Sequence, residues 1–235
     1  MDEKSIDKFA YEALKAFALT HNYNKWIFDS FRPYIGKNVL EIGCGIGNIT
    51  RYLVTACETL IGIDTSETFL KHLKIDHPDL ELYNFDVSDA GITKLSDKNI
   101  DTVVCINVLE HIKDDVATLQ NMFNLLKPEG HLLLFVPALD FLYNVIDKNV
   151  NHYRRYNRKD LIKKLESVGF KITKSYFSNY IGVFGWFING NIFRRKDFPV
   201  LQPILFDKLV PIISKMEKCV KLPFGMNLII IASKP

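Results

Sequence analysis

Apolar residues at the start of the chain recur at helical spacing, first at Ile6, Phe9, Ala10, Ala13, Leu14 and Phe17, then at Tyr23, Trp26, Ile27 and Phe31. This predicts two helices over 5–32, stopped by Pro33 and Gly36. From Lys37 onward the pattern changes to strands near 38–42, 59–63, 80–85, 101–106 and 130–136, with helices near 46–55, 66–74 and 113–127 between them. Such alternation calls for a parallel sheet covered by helices on both faces. Further on, 140–157 is rich in aromatic and charged residues, 158–168 is an amphipathic helix closed by Gly169, 170–177 alternates like a strand, and 227–233 is the last strand. The two late strands predict a closing antiparallel hairpin, its loop widened to about 178–226. That insertion holds the apolar run 181–188, the basic Arg194, Arg195 and Lys196, and three prolines at 199, 203 and 211.

No internal repeat, low-complexity tract or linker divides the 235 residues, so one domain over 1–235 is expected. Its parts are an N-terminal helical lid (1–36), a core (37–136) and a later region (137–235) that carries the hairpin and the insertion 178–226. Thirty Lys and Arg against 27 Asp and Glu give a net charge of +3, too weak to point to non-specific nucleic-acid binding. Cys44, Cys57, Cys105 and Cys219 lack Cys-x-x-Cys spacing, which fits buried thiols in a reducing cytosol and implies neither a disulfide framework nor a metal site. The charged N-terminus lacks an apolar leader core, and no run of about 18 apolar residues predicts a membrane span.

Candidate chemistry gathers at the ends of the first strands. Gly43, Gly45 and Gly47 follow the first strand directly, where glycine permits positive φ and close approach of bare N–H groups to a ligand. A dinucleotide turn wants a glycine at position 48, where this chain has Asn48; that counts against NAD. Glu41 stands just before the turn, Asp64 ends the second strand and Asp86 the third, and in a doubly wound sheet these ends meet at one edge. Asp64 is suited to accept both hydroxyls of a ribose, Asp86 an adenine amino group beside Val87, and Glu41 an ammonium-bearing tail. A ligand with adenine, ribose and an amino-acid tail but no phosphates is S-adenosylmethionine.

On these residues, together with Asn107, Val108, Leu109, Glu110 and His111 after the fourth strand, the chain resembles the class I, Rossmann-like S-adenosylmethionine-dependent methyltransferases of small-molecule type. The resemblance is strong over 37–136. It implies an α/β, doubly wound, seven-stranded and mostly parallel sheet of order 3-2-1-4-5-7-6, with N-terminal helices and an insertion before the last strand. It also places the cofactor against Glu41, Gly43, Cys44, Gly45, Gly47, Asp64, Thr65, Asp86, Val87, Asn107 and Val108; no metal is expected, since no ligand cluster stands out in the sequence, and metal dependence stays open.

The acceptor is expected after the fifth strand. His152 is a candidate general base, oriented by Asp147, and His111 a second catalytic candidate. Tyr143 and, from the lid, Tyr23 are placed to contact an acceptor, and Arg154 and Arg155 to hold an anionic group. The alternative is a loop packed on helix 158–168 whose arginines pair with nearby acids. A similar His-x-Arg-Arg-Tyr stretch occurs in bacterial methyltransferases associated with cell-surface polysaccharide or lipid-linked sugar pathways. Neither the Asn/Asp-Pro-Pro-Tyr/Phe run nor the Pro-Cys nucleophile of nucleic-acid methyltransferases is present, which moves DNA and RNA down the list. The aromatic run 181–193 beside Arg194, Arg195 and Lys196 is a candidate peripheral membrane contact, a buried lid or a dimer contact. The expected activity is methyl transfer from S-adenosylmethionine to a small-molecule or lipid- or sugar-linked acceptor, at oxygen, in the cytoplasm. Its rivals are a non-catalytic S-adenosylmethionine-binding module and an NAD-dependent oxidoreductase.

Overall fold

The computed structural model describes residues 3–193 and 201–235; the basic run Arg194, Arg195 and Lys196 and Pro199 lie outside them. Seven strands form one sheet: β1 (Asn38–Ile42), β2 (Thr59–Asp64), β3 (Glu81–Asn84), β4 (Thr102–Ile106), β5 (His131–Pro137), β6 (Lys171–Ser178) and β7 (Asn227–Ser233). Their order is β3-β2-β1-β4-β5-β7-β6, with β7 antiparallel to both β5 and β6 and every other pairing parallel. This is the doubly wound, seven-stranded class that the sequence predicts, with the late hairpin closing one edge.

Alternate residues of the central strands enter two separate cores, which is why these strands are apolar almost throughout rather than alternating apolar and polar. On β5, Leu132, Leu134 and Val136 face one core and Leu133 and Phe135 the other; on β7, Leu228 and Ile230 oppose Ile229 and Ile231. The first core is closed by α5 (Asp115–Leu125) and α7 (Arg158–Val168). The second is closed by α2 (His21–Phe31), α3 (Thr50–Leu53) and α4 (Glu67–Asp76). Helix α1 (Glu3–Ala18) precedes them. Later in the chain come α6 (Val145–Asn149), α8 (Tyr180–Phe187), α9 (Leu201–Asp207) and α10 (Val210–Cys219). Asp101, just before β4, locks the start of β1 by accepting from the Lys37 and Asn38 N–H groups at 3.0 and 3.1 Å.

Three boundaries differ from expectation, each for a local reason. The helix expected over 46–55 is reduced to α3, because Gly43, Gly45 and Gly47 at φ of 69°, 54° and 90° keep the chain in turns until Thr50. The helix expected over 113–127 starts only at Asp115, where the Asp114 carboxylate caps it by accepting from the Ala117 N–H at 3.0 Å. It ends at Leu125, and the residue before Pro128 is disfavoured in helical conformation. Asp86 lies two residues beyond the end of β3 rather than on it.

Leu133 is fully buried at the centre of the sheet, so Leu133→Ala is expected to lower unfolding free energy in urea melts by about 2–5 kcal/mol, whereas Ile75→Ala, at a residue 76% exposed, should change it by about 0.5 kcal/mol or less.

Candidate active site

The carboxyl ends of β1, β2 and β4 and the turn after β3 open onto a single cavity of about 580 Å³. Gly43, Cys44, Gly45, Asp64, Thr65, Asp86, Val87, Asn107 and Val108 line it together with Glu41, so ten of the eleven residues expected at the cofactor converge there. Gly47 is the exception. A Cβ at Gly47 would lie 2.6 Å from Leu73 Cδ1, so this glycine serves packing of the turn on α4. At Gly43 a Cβ would lie 2.2 Å from Val108 Cγ2, which couples the turn after β1 to the segment after β4.

Carboxylates shape the cavity's cofactor end. Asp64 accepts from the Gly45 N–H at 2.8 Å through Oδ2 and from the Ser66 N–H at 2.9 Å through Oδ1. Burial raises its pKa, and these backbone donors counter the rise. Asp86 Oδ1 accepts from the Ser88 N–H and hydroxyl at 2.8 and 2.7 Å, leaving Oδ2 open. Glu41 is buried and accepts from the Thr50 hydroxyl at 2.6 Å, and desolvation pushes its pKa up to about 8. From the N-terminal helices, Ala13, Leu14, Phe17, Tyr23, Asn24 and Ile27 complete this wall. A glycine turn of positive φ, acidic groups at successive strand ends and apolar walls suit a phosphate-free adenosyl amino acid, and nothing in this set presents a cationic phosphate clamp.

At the other end of the cavity the polar groups come from the turn after β4 and from the loop around α6. Asp147 is fully buried within a capping box, where it accepts from the Asn144 N–H at 3.0 Å. The same carboxylate meets His152 Nδ1 at 3.0 Å and Arg155 Nε at 2.9 Å. Burial pushes its pKa up, but His152 and Arg155 together outweigh this and hold it below the usual carboxylate range. Arg155 is itself buried, donates to the Ala138 carbonyl at 3.2 Å and lies 4.7 Å from the Trp186 ring centre. His152 turns its Nε2 toward Glu110 Oε1, 3.8 Å away, and its ring packs edge-on against His111 with centroids 4.6 Å apart. Glu110 is fully buried, neither carboxylate oxygen has a hydrogen-bond partner among the described residues, and desolvation raises its pKa to about 7. His111 lines the cavity with its side chain exposed, and desolvation by the protein around it and the neighbouring His152 depress its pKa.

Three acceptor-side expectations are not met by this geometry. Arg154 does not face the cavity, because it pairs with Asp115 at 2.7 Å and donates to the Lys113 carbonyl at 2.7 Å. Arg155 reaches the lining, but its Nε and Nη1 are engaged by Asp147 and Ala138. The two arginines therefore form no anion clamp; pairing with nearby acids is what they do. Tyr143 stays out of the lining and donates its hydroxyl to the His152 carbonyl at 2.7 Å. Tyr23 does line the cavity, with its hydroxyl on Asn227 Oδ1 at 3.3 Å and its ring edge-on to Trp26. Glu110, Trp186 and Asn227 were not expected as site residues. Glu110 carried a signal, its place beside His111, but its burial did not show in the sequence.

Residues 40–132 match the family described as a methyltransferase domain. The chain is 28% identical over 139 residues to a protein of Mycolicibacterium smegmatis named "Probable S-adenosylmethionine-dependent methyltransferase", covering 58% of this chain and 53% of that one. It is 33% identical over 147 residues to a ubiquinone biosynthesis O-methyltransferase of Paracidovorax citrulli, covering 55% and 60%. The matched region thus spans a little over half the length of these curated relatives. Among solved structures, an S-adenosylmethionine-dependent methyltransferase from Archaeoglobus fulgidus superposes with a TM-score of 0.61 at 18% identity, over 90% of this chain and 94% of that one.

If Asp64 holds the ribose, Asp64→Ala should weaken S-adenosylhomocysteine binding in calorimetry by about 1–3 kcal/mol, the scale of losing hydrogen bonds to a charged group. Affinity equal to that of the unaltered protein removes the role. Taken together, the strand order and the glycine turn with its flanking acids give the chain the class I, Rossmann-like fold of S-adenosylmethionine-dependent methyltransferases, and residues 40–132 match the methyltransferase-domain family.

Proposed function

We propose that the protein transfers a methyl group to a hydroxyl of a lipid-like small molecule. S-adenosylmethionine supplies the electrophilic sulfonium methyl group. The chain's own residues then have two tasks: to hold the acceptor oxygen in line with that group, and to ease loss of its proton. The observation that carries the reading is the polar cluster of the buried Glu110, the half-buried His152 and the exposed His111, which lines the cavity beyond the cofactor-binding turn. Asp147 and Arg155 hold His152 from behind, so that its Nε2 is presented toward Glu110 and the cavity. The O-methyltransferase names of the curated relatives support oxygen as the methylated atom.

Support for a lipidic acceptor comes from α8 and the helices after it. The inner face of α8 brings Trp186 to the cavity wall, while Ile181 and Phe184 on the same helix are exposed. Leu205, Ile212 and Met216 extend this apolar surface along α9 and α10. Among the described residues of the segment, both acids are turned inward. Asp207 accepts from the Asn22 and Tyr23 N–H groups, and Glu217 from those of Asn179 and Tyr180. Lys208, Lys215, Lys218 and Lys221 stay exposed, so the surface is apolar with a cationic border, the composition that suits an anionic bilayer. No helix among the described residues is long and apolar enough to cross a membrane.

Incubation with labelled S-adenosylmethionine and a lipid extract should label a lipid fraction, with transfer falling about 100-fold in Glu110→Gln and His152→Ala while S-adenosylhomocysteine binding persists. Labelling only of a water-soluble fraction removes the lipid reading. In sedimentation, the protein should pellet with vesicles of mixed phosphatidylcholine and phosphatidylglycerol but not with phosphatidylcholine alone. Ile212→Asp should abolish pelleting; absence of binding by the unaltered protein refutes the membrane contact.

A further inference from the structure

We infer that Glu110, His111 and His152 form a binding site for one divalent transition-metal ion at the acceptor end of the cavity. Each residue offers a ligand atom, and the three lie within 4.8 Å of one another. They come from two separate parts of the chain, the turn Leu109–His111 after β4 and the segment that follows α6.

The strongest sign is the state of Glu110. A fully buried carboxylate normally has hydrogen-bond partners, and here both oxygens have none although they face a cavity containing two imidazoles. His152 Nε2 is 3.8 Å from Oε1, too far for a hydrogen bond, and a spacing at which both groups can address one ion between them.

The His152 imidazole is also held from its far side. His152 is fixed through Nδ1 by Asp147, and Asp147 is in turn gripped by Arg155 and the Asn144 N–H. A carboxylate or carbonyl on the far nitrogen is the arrangement that sets the tautomer and aims of metal-bound histidines. Two histidines and one carboxylate suit zinc, iron(II), manganese or cobalt better than magnesium, which prefers oxygen ligands. Three protein ligands leave coordination positions open, and because all three residues line the cavity those positions face it. Resting on the methyl-transfer reading above, such an ion would bind the acceptor oxygen and favour its deprotonated form; His152 would then act as a ligand rather than as a free base.

The test separates the two readings. Chelator-treated protein is titrated calorimetrically with zinc chloride, and the cobalt(II) form is examined by visible absorption. One ion per chain and cobalt d–d bands are expected, with affinity reduced at least about tenfold in Glu110→Gln and in His111→Asn, and about 10–100-fold in Asp147→Asn. Thermal melts identify which variants are folded; if Glu110→Gln is not, His111→Asn and Asp147→Asn carry the comparison. Lack of stoichiometric binding, or unchanged affinity in the folded variants, overturns the site. Methyl transfer that persists undiminished after chelation also overturns it while leaving the proposed activity standing; zinc binding without methyl transfer to any acceptor leaves the site standing and removes that activity.

Discussion

The parallel pairing of β1 to β5 is the constraint on which the rest of this protein depends. Parallel strands must be joined by crossovers, and the crossovers place every carboxyl end at the same edge of the sheet. Strand order reverses between β1 and β4, so the turns after β1 and β4 part and leave a crevice between them. Gly43 shows how tight that crevice is. Any side chain there would run into Val108 from the neighbouring strand end, and the backbone of the turn is exposed to the cavity as a result.

Two buried carboxylates at the acceptor end face similar desolvation and meet it differently. Asp147 has a histidine, an arginine and a backbone N–H, and it stays ionised. Glu110, a few ångströms from the same histidine, has no hydrogen-bond partner and is driven toward neutrality. An unsatisfied buried polar group costs about 1–3 kcal/mol. Asp147 with Arg155 is therefore a scaffold that fixes the loop around α6, and Glu110 is left without a hydrogen-bond partner among the described residues.

Helix α8 joins the cavity to the surface. Trp186 donates to the Leu142 carbonyl at 3.2 Å and covers Arg155, while Phe184, two residues earlier, is 63% exposed. Such a two-faced helix resists explanation as core packing alone, since its outer side buries nothing among the described residues. On α9 and α10 too, Leu205, Ile212 and Met216 are exposed, while Asp207 and Glu217 are engaged by backbone N–H groups of Tyr23 and Tyr180.

Strand positions and the cofactor-facing turn were legible in the sequence, because they rest on local chemistry. Apolar runs between amphipathic helices, glycines where φ must be positive, and acids at successive strand ends are all readable one residue at a time. The resemblance to class I methyltransferases then supplied the strand order. What the sequence left open were contacts between residues far apart in the chain. It could not tell that Arg154 would be taken by Asp115, or that Arg155 would be locked onto Asp147. Nor could it show that Glu110 would be buried without a partner while His111 and His152 converge on it from segments some forty residues apart. Burial and pairing of charged side chains depend on what the folded chain brings alongside them, so the tertiary structure alone decided which of the candidate acids, bases and cations face the acceptor.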